Sequence, residues 1–293
     1  MQMTNEIKEY CPVDGTVTKM RKMYQLNFGS IVQCNDCGLI RYYPGRSPME
    51  LVAVHNKQSY FEHPYFEARR KINEQQVYRK YERLIKSIAM DDLINGKRLL
   101  DIGCDTGSLL VVARDVYKMK VEGVEVSRVA ACIARKNHDL IVHEGLIEDL
   151  NLKSDYYDIV TMIDMIEHVS DPSMLLKQAN RILKTKGKLY IVTVNHDALI
   201  NIIGFWLYRI FRNHSLPLLE KLYIPYHEYY FTQKTLVSLL NNSNFYIVNI
   251  KTKEFPLDEF GHGTFLKVCL SLVFILQKIF RRQSLLEVIA EKR

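Results

Sequence analysis

Short apolar stretches alternate with amphipathic stretches through the middle of the chain. Runs of four to seven residues rich in Val, Ile and Leu predict strands, and apolar residues that recur every three or four positions predict helices. The predicted elements are, in order, Arg98–Ile102, Leu109–Tyr117, Val121–Val126, Arg128–Asn137, Leu140–His143, Tyr157–Met162, Met174–Leu183 and Lys188–Val194. Strands and helices that alternate over such short connections predict an α/β fold with a doubly wound, Rossmann-like parallel sheet.

The segments on either side of this alternation form smaller predicted units. Residues 1–45 carry cysteine knuckles and predict a small zinc-ribbon-like module, and a helical cover is expected over 46–95. The α/β domain is expected to span 96–260, with an apolar helical insertion at 198–222. An amphipathic helix is expected over the last segment, 261–293.

Composition places the chain among ordered globular proteins. Hydrophobic residues make up 47% of its 293 residues and charged residues 25%, which excludes a disordered or low-complexity chain. The longest apolar stretches, near Ala198–Tyr208 and Val268–Leu276, are shorter than the ~20 residues that a membrane-spanning helix needs. The first ten residues lack the apolar core of a signal peptide, so a cytoplasmic protein is expected.

The formal net charge of +7 is spread along the chain rather than gathered into one stripe, so nucleic acid is not an expected partner. Basic residues do lie beside apolar segments, at Tyr208–Arg212 and Lys278–Arg282. An apolar face that ends in aromatic and basic residues is typical of a helix lying in the headgroup region of an anionic membrane. Peripheral association with the inner face of a membrane is one expectation, and a lid or a dimer contact is the other. The oligomeric state is left open.

Three of the six cysteines lie within the first 37 residues. Cys34 and Cys37 form a knuckle in which the following Gly38 lets the backbone turn, so that both thiolates face one ion. Cys11 begins a similar knuckle in which Asp14 replaces the second thiolate. These four side chains are candidate zinc ligands. The alternative is a ribbon that kept its hairpins and lost its metal.

The first strand of the α/β domain ends in an acid and a loop of small residues, which contains Asp101, Gly103, Asp105 and Gly107. Glycines at the carboxyl end of a strand let a nucleotide approach the backbone. The spacing differs from the three-glycine dinucleotide fingerprint. The acids repel a phosphate and suit a cationic amino-acid group, so the loop predicts a nucleotide-type ligand with such a group.

Acidic residues also follow the next two predicted strands. Glu125 ends the second strand, 22 residues after Gly103, where its carboxylate can accept both hydroxyls of a ribose. Ile147 and Glu148 follow the third strand, where an adenine ring would lie. Ile147 is expected to wall the ring and Glu148 to read its amino group, with a plain solvated charge as the alternative for Glu148.

The longest signal is the string from Tyr157 to Pro172, which reads YDIVTMIDMIEHVSDP. Together with Asn180–Leu189 and Val192–Asn195 it resembles the class I S-adenosylmethionine-dependent methyltransferases. Within them the chain is most similar to the branch that includes the ubiquinone-biosynthesis O-methyltransferases, over about residues 96–248. A ribbon with cysteine knuckles ahead of this domain is familiar among bacterial relatives, including sugar and polysaccharide methyltransferases.

The resemblance implies S-adenosylmethionine as the cofactor and assigns roles to several residues. It implies that Glu125 holds the ribose and that Ile163 packs near the sulfonium. The residues implied to line the methionine portion are Asp101, Gly103 and Gly107. Asp105 departs from the family, which usually has Gly there. Since Asp tolerates a left-handed backbone better than most residues, weakened binding is expected rather than none.

The acceptor side is expected to involve Asp164, Glu167 and His168, which fall at i, i+3 and i+4 and would share one face of a helical turn. Two acids and an imidazole suit a divalent ion, and the resemblance implies magnesium. The alternative has Glu167 capping locally and His168 hydrogen-bonded beneath the acceptor pocket. His168, and His227 in a stretch that matches one closing over the family's active site, are candidate catalytic acid/base groups.

The sequence therefore predicts a methyltransferase that acts on an oxygen of a small-molecule, sugar or lipid-linked acceptor. One alternative is an RNA methyltransferase that grips nucleic acid with residues 1–45. Another is a non-catalytic scaffold that binds S-adenosylmethionine, favoured by Asp105 and by Asp14 in the incomplete knuckle. Two aromatic pairs, Tyr60-Phe61 and Tyr65-Phe66, resemble the aromatic cover of the cofactor in relatives.

Overall fold

The computed structural model describes residues 7–56, 74–89, 93–211, 219–220, 222–254 and 264–293. The aromatic pairs Tyr60-Phe61 and Tyr65-Phe66 lie outside the described residues, as do residues 212–218 and 221 of the expected insertion.

Twelve strands and eight α-helices form within the described residues. The strands are β1 (Ile7–Cys11), β2 (Thr16–Leu26), β3 (Gly29–Cys34), β4 (Ile40–Tyr43), β5 (Arg98–Ile102), β6 (Lys120–Glu125), β7 (Ile141–Glu144), β8 (Tyr157–Ile163), β9 (Leu183–Val194), β10 (Tyr229–Tyr230), β11 (Phe245–Lys253) and β12 (Leu285–Lys292). The helices are α1 (Pro48–His55), α2 (Glu74–Ala89), α3 (Ser108–Asp115), α4 (Arg128–His138), α5 (Pro172–Ile182), α6 (Leu199–Phe211), α7 (Gln233–Asn242) and α8 (Thr264–Ile279).

Seven strands build a central sheet in the order β11-β12-β9-β8-β5-β6-β7. The strands from β9 to β7 are mutually parallel, and β12 runs antiparallel to both of its neighbours. The chain leaves β5 toward β6 and β7, then returns to β8 on the other side of β5. A crevice opens at such a switch point, at the carboxyl ends of the strands. The predicted doubly wound α/β fold is confirmed.

Strand β12 corrects the expectation of a helix over 261–293. Helix α8 ends at Ile279, and Leu285–Lys292 is a strand hydrogen-bonded between β9 and β11. Its residues from Leu285 to Ala290 are all buried. A short apolar run with residues such as Leu, Glu and Ala cannot be told from a buried helix by periodicity. The segment forms a strand because it pairs with β9 on one side and with β11 on the other.

The four N-terminal strands and β10 form the N-terminal sheet, in the antiparallel order β1-β2-β3-β4-β10. Because β10 comes from the α/β part of the chain, residues 1–45 do not form a separate unit. Buried residues of the N-terminal sheet, such as Val32 and Leu39, belong to the same hydrophobic core as Leu100 and Ile102 of β5. The two sheets are therefore packed around a shared interior.

The expected insertion at 198–222 contains helix α6, which packs against α8. Both helices keep part of their apolar surface exposed, including Trp206 of α6 and Ile279 of α8. Within the described residues, neither these helices nor any other has the length and hydropathy that a bilayer span requires.

Candidate functional site

A cavity of about 410 Å³ opens at the carboxyl ends of the central parallel strands. Helix α1, whose start is set by a capping box between Ser47 and Glu50, closes one side of it. Helices α6 and α8 contribute Ile200 and Phe274 to another side. The sequence-predicted residues that line the cavity are Asp101, Gly103, Asp105, Glu125, Ile147, Glu148, Ile163, Asp164, Glu167, His168 and His227.

The loop after β5 is a tight turn through left-handed backbone. Gly103 has φ +78° and Asp105 has φ +50°, so the conformation expected for Asp105 is the one it adopts. A Cβ at Gly103 would lie 2.7 Å from Cγ of Met165, so only glycine fits there. Gly107 (φ +85°) does not line the cavity: it begins α3 and a Cβ there would meet Leu140. Its part is in packing the loop rather than in facing a ligand.

Two buried carboxyl groups face the cavity. Asp101 accepts a hydrogen bond from Oγ1 of Thr161 at 2.6 Å, and burial raises the pKa of Asp101 to about 7 despite that bond. Glu125 accepts from the backbone N–H groups of Asp105 and Ser127, both at 2.8 Å, and burial raises its pKa as well. Each carboxylate oxygen of Glu125 keeps lone-pair capacity for another donor. The pair suits a ligand that brings a positive charge and hydroxyl groups.

The predicted adenine side lies next to these acids. Ile147 is buried in a short 3-10 helix, Ile147–Asp149, and offers an apolar wall beside Leu146. Glu148 borders the cavity but is exposed, so its two expected roles, reading a ring or standing in solvent, both stay open.

Three histidine rings follow one another along the acceptor side of the cavity. The rings of His168 and His227 are 4.6 Å apart, and those of His168 and His55 are 5.8 Å apart. Nδ1 of His168 lies 2.9 Å from the carbonyl oxygen of Tyr226. A carbonyl only accepts, so Nδ1 carries the proton and Nε2 of His168 is left as an acceptor. Nδ1 of His227 is buried and has no hydrogen-bond partner among the described residues.

Burial keeps His55, His168, His227 and the carboxyl group of Glu167 uncharged at neutral pH. It lowers the pKa of His168 to about 4, with a further contribution from His55, and lowers the pKa of His227 and of His55 below the usual value. Burial and the nearby charge of Asp164 raise the pKa of Glu167 to about 8, so this carboxyl is protonated at pH 7. The three histidines and Glu167 thus form a neutral, polar cluster on the acceptor side.

The prediction that Asp164, Glu167 and His168 together bind a divalent ion is wrong for Asp164. Ligand atoms of Glu167, His168 and His227 lie within 4.8 Å of one another, and Asp164 is outside this group. The helical turn begins at Ile166, and Asp164 precedes it with φ +51°. Asp164 therefore does not share one face of a helical turn with Glu167 and His168. Two imidazoles and one carboxyl do not fit magnesium, which prefers oxygen ligands.

Several lining residues were missed by the sequence reasoning. Asn195 and His196 directly follow β9, and the rule that ligands bind at carboxyl strand ends would have found them. Nε2 of His196 lies 2.9 Å from the hydroxyl of Tyr223, and burial lowers the pKa of His196 to about 4. His55 sits at the end of α1, far from the motifs, and no signal in the sequence points to it.

The second candidate set lies away from the cavity, in the N-terminal sheet. One ligand atom from each of Cys11, Asp14, Cys34 and Cys37 lies within 4.8 Å of the others. The structure therefore brings together all four residues that the knuckle pattern selected.

Comparison with known proteins places these features in context. A family model described as a methyltransferase domain matches residues 72–250. A ubiquinone biosynthesis O-methyltransferase of Coxiella burnetii is 33% identical over 119 residues, which cover 39% of this chain and 50% of that protein. One of Pseudomonas syringae is 30% identical over 112 residues, covering 35% and 46%. The chain spans about half the length of the curated relatives it matches.

Solved structures show the same fold at lower identity. A SAM-dependent methyltransferase from Archaeoglobus fulgidus matches with a TM-score of 0.54 and 20% identity, over 78% of this chain and 98% of that one. The YcgJ protein of Bacillus subtilis matches with a TM-score of 0.51 and 16% identity, over 73% and 97%. At these identities the similarity is one of fold.

Proposed function

Because the chain belongs to the family of S-adenosylmethionine-dependent methyltransferases, we propose that it methylates an oxygen of an acceptor bound beside His168 and His227. The observation that carries this proposal is one cavity that holds two buried acids at one end and neutral histidines at the other. S-adenosylmethionine, when bound, supplies an electrophilic methyl group on a sulfonium centre.

The residues of the cavity fit this cofactor. Asp101 offers a carboxylate to a cationic amino-acid group, and Glu125 offers two oxygens to ribose hydroxyls. The backbone turn at Gly103 has no side chain to obstruct an approaching ligand. Ile147 and Leu146 give an apolar surface for a base. Asp105 adds a further acid to the same loop.

The histidines act on the acceptor. Nε2 of His168 is free to accept a hydrogen bond from an acceptor hydroxyl, which orients the oxygen, and it takes the proton as the oxygen loses it. A neutral imidazole is required for this, and burial keeps His168 neutral. Holding the oxygen at near-attack distance supplies most of the rate, and proton acceptance supplies the smaller part.

The acceptor proposed here is a phenol, a sugar or a lipid-linked molecule. Polar groups of His55, Asn195 and Tyr226 share the acceptor side with apolar Leu51 and Phe274. A ring or sugar with a hydroxyl and an apolar extension matches this mixture. The curated relatives reported above are named for ubiquinone biosynthesis, which agrees with a phenolic acceptor.

A lipid-linked acceptor is supported by the surface beside the cavity. Helices α6 and α8 pack together and, with Phe280 directly after α8, expose a band of large apolar side chains: Ile203, Trp206, Ile210, Phe211, Ile275, Leu276, Ile279 and Phe280. Basic residues border it, and the guanidinium of Arg209 lies 5.7 Å from the ring centre of Trp206. We propose that this band, the α6–α8 face, lies on an anionic membrane surface.

The experiment that tests the function is calorimetric titration with S-adenosylhomocysteine, followed by methyl transfer to catechols, sugars and lipid-linked sugars. Replacing His168 or His227 with Gln is expected to lower kcat by ~100-fold or more and to leave cofactor affinity unchanged. His138→Gln, on α4 and outside the cavity lining, is the matched control.

Two outcomes count against the proposal. Absence of binding by folded protein would remove the cofactor assignment. Tight binding with no transfer to any acceptor class would favour the non-catalytic scaffold instead.

A further inference from the structure

Four ligand atoms converge where the β1–β2 turn and the β3–β4 turn of the N-terminal sheet meet. Sγ of Cys11 lies 3.5 Å from Sγ of Cys37, and Sγ of Cys34 lies 3.2 Å from Oδ2 of Asp14. All four atoms lie within 4.8 Å of one another. Two thiolates on a tetrahedral zinc, each at about 2.3 Å from the metal, are roughly 3.8 Å apart. The spacing is therefore that of one shared ion.

The two turns that carry these ligands have matching backbones. In the first, the N–H of Gly15 donates to the carbonyl of Cys11 at 2.8 Å. In the second, the N–H of Gly38 donates to the carbonyl of Cys34 at 3.1 Å. Both glycines have positive φ, +71° and +85°. Each turn thus presents a ligand at its first and fourth positions, with Asp14 and Cys37 in equivalent places.

The three sulfur atoms are available to an ion. Cys11, Cys34 and Cys37 are all free thiols. Three thiolates held this close together repel one another, and a divalent cation between them offsets that repulsion.

We propose that Cys11, Asp14, Cys34 and Cys37 bind one Zn²⁺ through three thiolates and one carboxylate. Four protein ligands close the coordination sphere, which is typical of a structural site rather than a catalytic one. Cys11 and Cys34 are buried, and Asp14 is exposed, so the ion has one side open to loading from solvent. This proposal does not depend on the methyl acceptor or on the cofactor.

The metal is placed to hold the N-terminal sheet against the α/β domain. Nδ2 of Asn242, in α7, donates to the carbonyl of Val13 within the first turn at 2.8 Å. Strand β4, which follows the second turn, pairs with β10, and His227 lies two residues before β10. The second of the two ligand-bearing turns is therefore linked to His227 through the pairing of β4 with β10.

The test is metal analysis of full-length protein purified under reducing conditions without chelator. About one zinc per chain is expected, and Co²⁺ added to the metal-free protein is expected to give the intense absorption bands of tetrahedral thiolate coordination. Cys34→Ser is expected to lose both signals. Cys132→Ser, a free cysteine on α4, is the matched control and is expected to keep them.

Replacements at Asp14 test the ligand set more sharply. Asp14→Cys completes a four-thiolate site and is expected to bind zinc at least ~10-fold more tightly in a chelator competition, whereas Asp14→Ala is expected to bind ~10-fold more weakly. This comparison carries the test if Cys34→Ser does not fold.

Several results would overturn the proposal. One is folded, reduced protein that contains no zinc and gives no thiolate bands with Co²⁺. A second is full zinc retention by Cys34→Ser. A third is a Cys11–Cys37 disulfide whose reduction does not create metal binding. Equal zinc affinity in Asp14→Cys and Asp14→Ala would exclude Asp14 as a ligand.

Discussion

At the scale of single residues, the cavity is governed by buried acids that have no cation beside them among the described residues. Asp101 is 4% exposed, and burial raises its pKa to about 7. Desolvation thus disfavours the charged carboxylate of Asp101, and a cationic ligand bound beside it would offset that cost. Cofactor affinity should therefore depend on pH in the neutral range, where ordinary carboxyl groups do not titrate.

The first prediction concerns this pH dependence. Because the pKa of Asp101 is raised, the carboxyl is mostly ionised at pH 8 and mostly protonated at pH 6. A cationic cofactor prefers the ionised form, so its affinity is expected to fall by up to about tenfold from pH 8 to pH 6. Calorimetry with S-adenosylmethionine measures this. Asp101→Asn is expected to bind weakly and with a flatter profile; a flat profile in the unaltered protein contradicts the prediction.

The second prediction concerns Asp105, which holds φ +50° at a position where the family resemblance of the sequence implies glycine. Its charge also adds to those that raise the pKa values of Asp101 and Glu125. Asp105→Gly relieves the left-handed backbone, a cost of about 1 kcal/mol, and is expected to bind the cofactor several-fold more tightly. Asp105→Ala keeps the positive φ without the tolerance of Asp, and is expected to unfold at lower temperature. Weaker binding by Asp105→Gly would show that the Asp105 side chain assists the ligand.

At the scale of elements, α6 and α8 combine an inner and an outer role. Ile200 and Phe274 line the cavity, while Trp206 and Phe280 are 53% and 61% exposed. Several large apolar side chains exposed on two packed helices are typical of an interaction site. Its position next to the cavity is what would let an acceptor pass from a lipid surface to the histidines.

The third prediction follows from this arrangement. The protein is expected to float with anionic liposomes, less so with neutral ones and less at high salt, because the basic border contributes attraction that salt screens. Trp206→Glu and Phe280→Glu are each expected to reduce flotation strongly and to leave S-adenosylhomocysteine affinity unchanged. Ile141→Glu, 61% exposed on β7 at the far edge of the sheet, is the matched control. A protein that stays at the bottom of the gradient with every liposome rules out the membrane role.

Strand β12 shows how an element can escape a local prediction. The run Leu285–Ala290 would pack equally well as one face of a buried helix. Its state follows from register with β9 and β11, whose edges would otherwise stay unpaired. By contrast, β5 was predicted with its observed ends because glycine and charged residues bound a compact apolar run.

At the scale of the whole molecule, one buried ion pair holds the segment before β10, which comes from the α/β part of the chain, to the N-terminal segment after β4. Glu228 is 1% exposed and accepts hydrogen bonds from the backbone N–H of Arg46 at 3.0 Å and from its Nη1 at 2.5 Å. The carbonyl of Glu228 accepts from the N–H of Tyr42 in β4 at 2.9 Å. Together with the shared core, these contacts are expected to make the sheets unfold as one unit.

The fourth prediction uses this pair. Arg46→Ala leaves a buried carboxylate without its cation and is expected to lower the free energy of unfolding by about 3 kcal/mol. The loss is expected to be larger at pH 8 than at pH 5.5. Burial raises the pKa of Glu228, and without Arg46 that pKa rises further, so stability falls as pH increases through it. Urea unfolding followed by fluorescence measures both effects.

The double variant Arg46→Ala, Glu228→Gln supplies the control for that experiment. It removes the unpaired charge and is expected to recover part of the lost stability and to remove the part of the pH dependence that Glu228 contributes. Two separate unfolding transitions in the unaltered protein would contradict the idea of a single unit.

The amino-acid sequence by itself determined the features that depend on local chemistry or on periodicity. These are the alternation of strands and helices, the acids that end β5 and β6, and the cysteine turns of the N-terminal sheet. Each is written within a few consecutive residues, because glycine, proline and the hydrophobic period act over one or two turns of chain.

The tertiary structure alone decided which distant residues meet. His227 joins His168 because β10 is drawn to the edge of β4, and Asp164 is excluded because its backbone turns before the short helix begins. His55 enters through α1, about 110 residues earlier in the chain than His168. Such contacts are set by burial and by the pairing of free strand edges over long separations, and no local pattern records them.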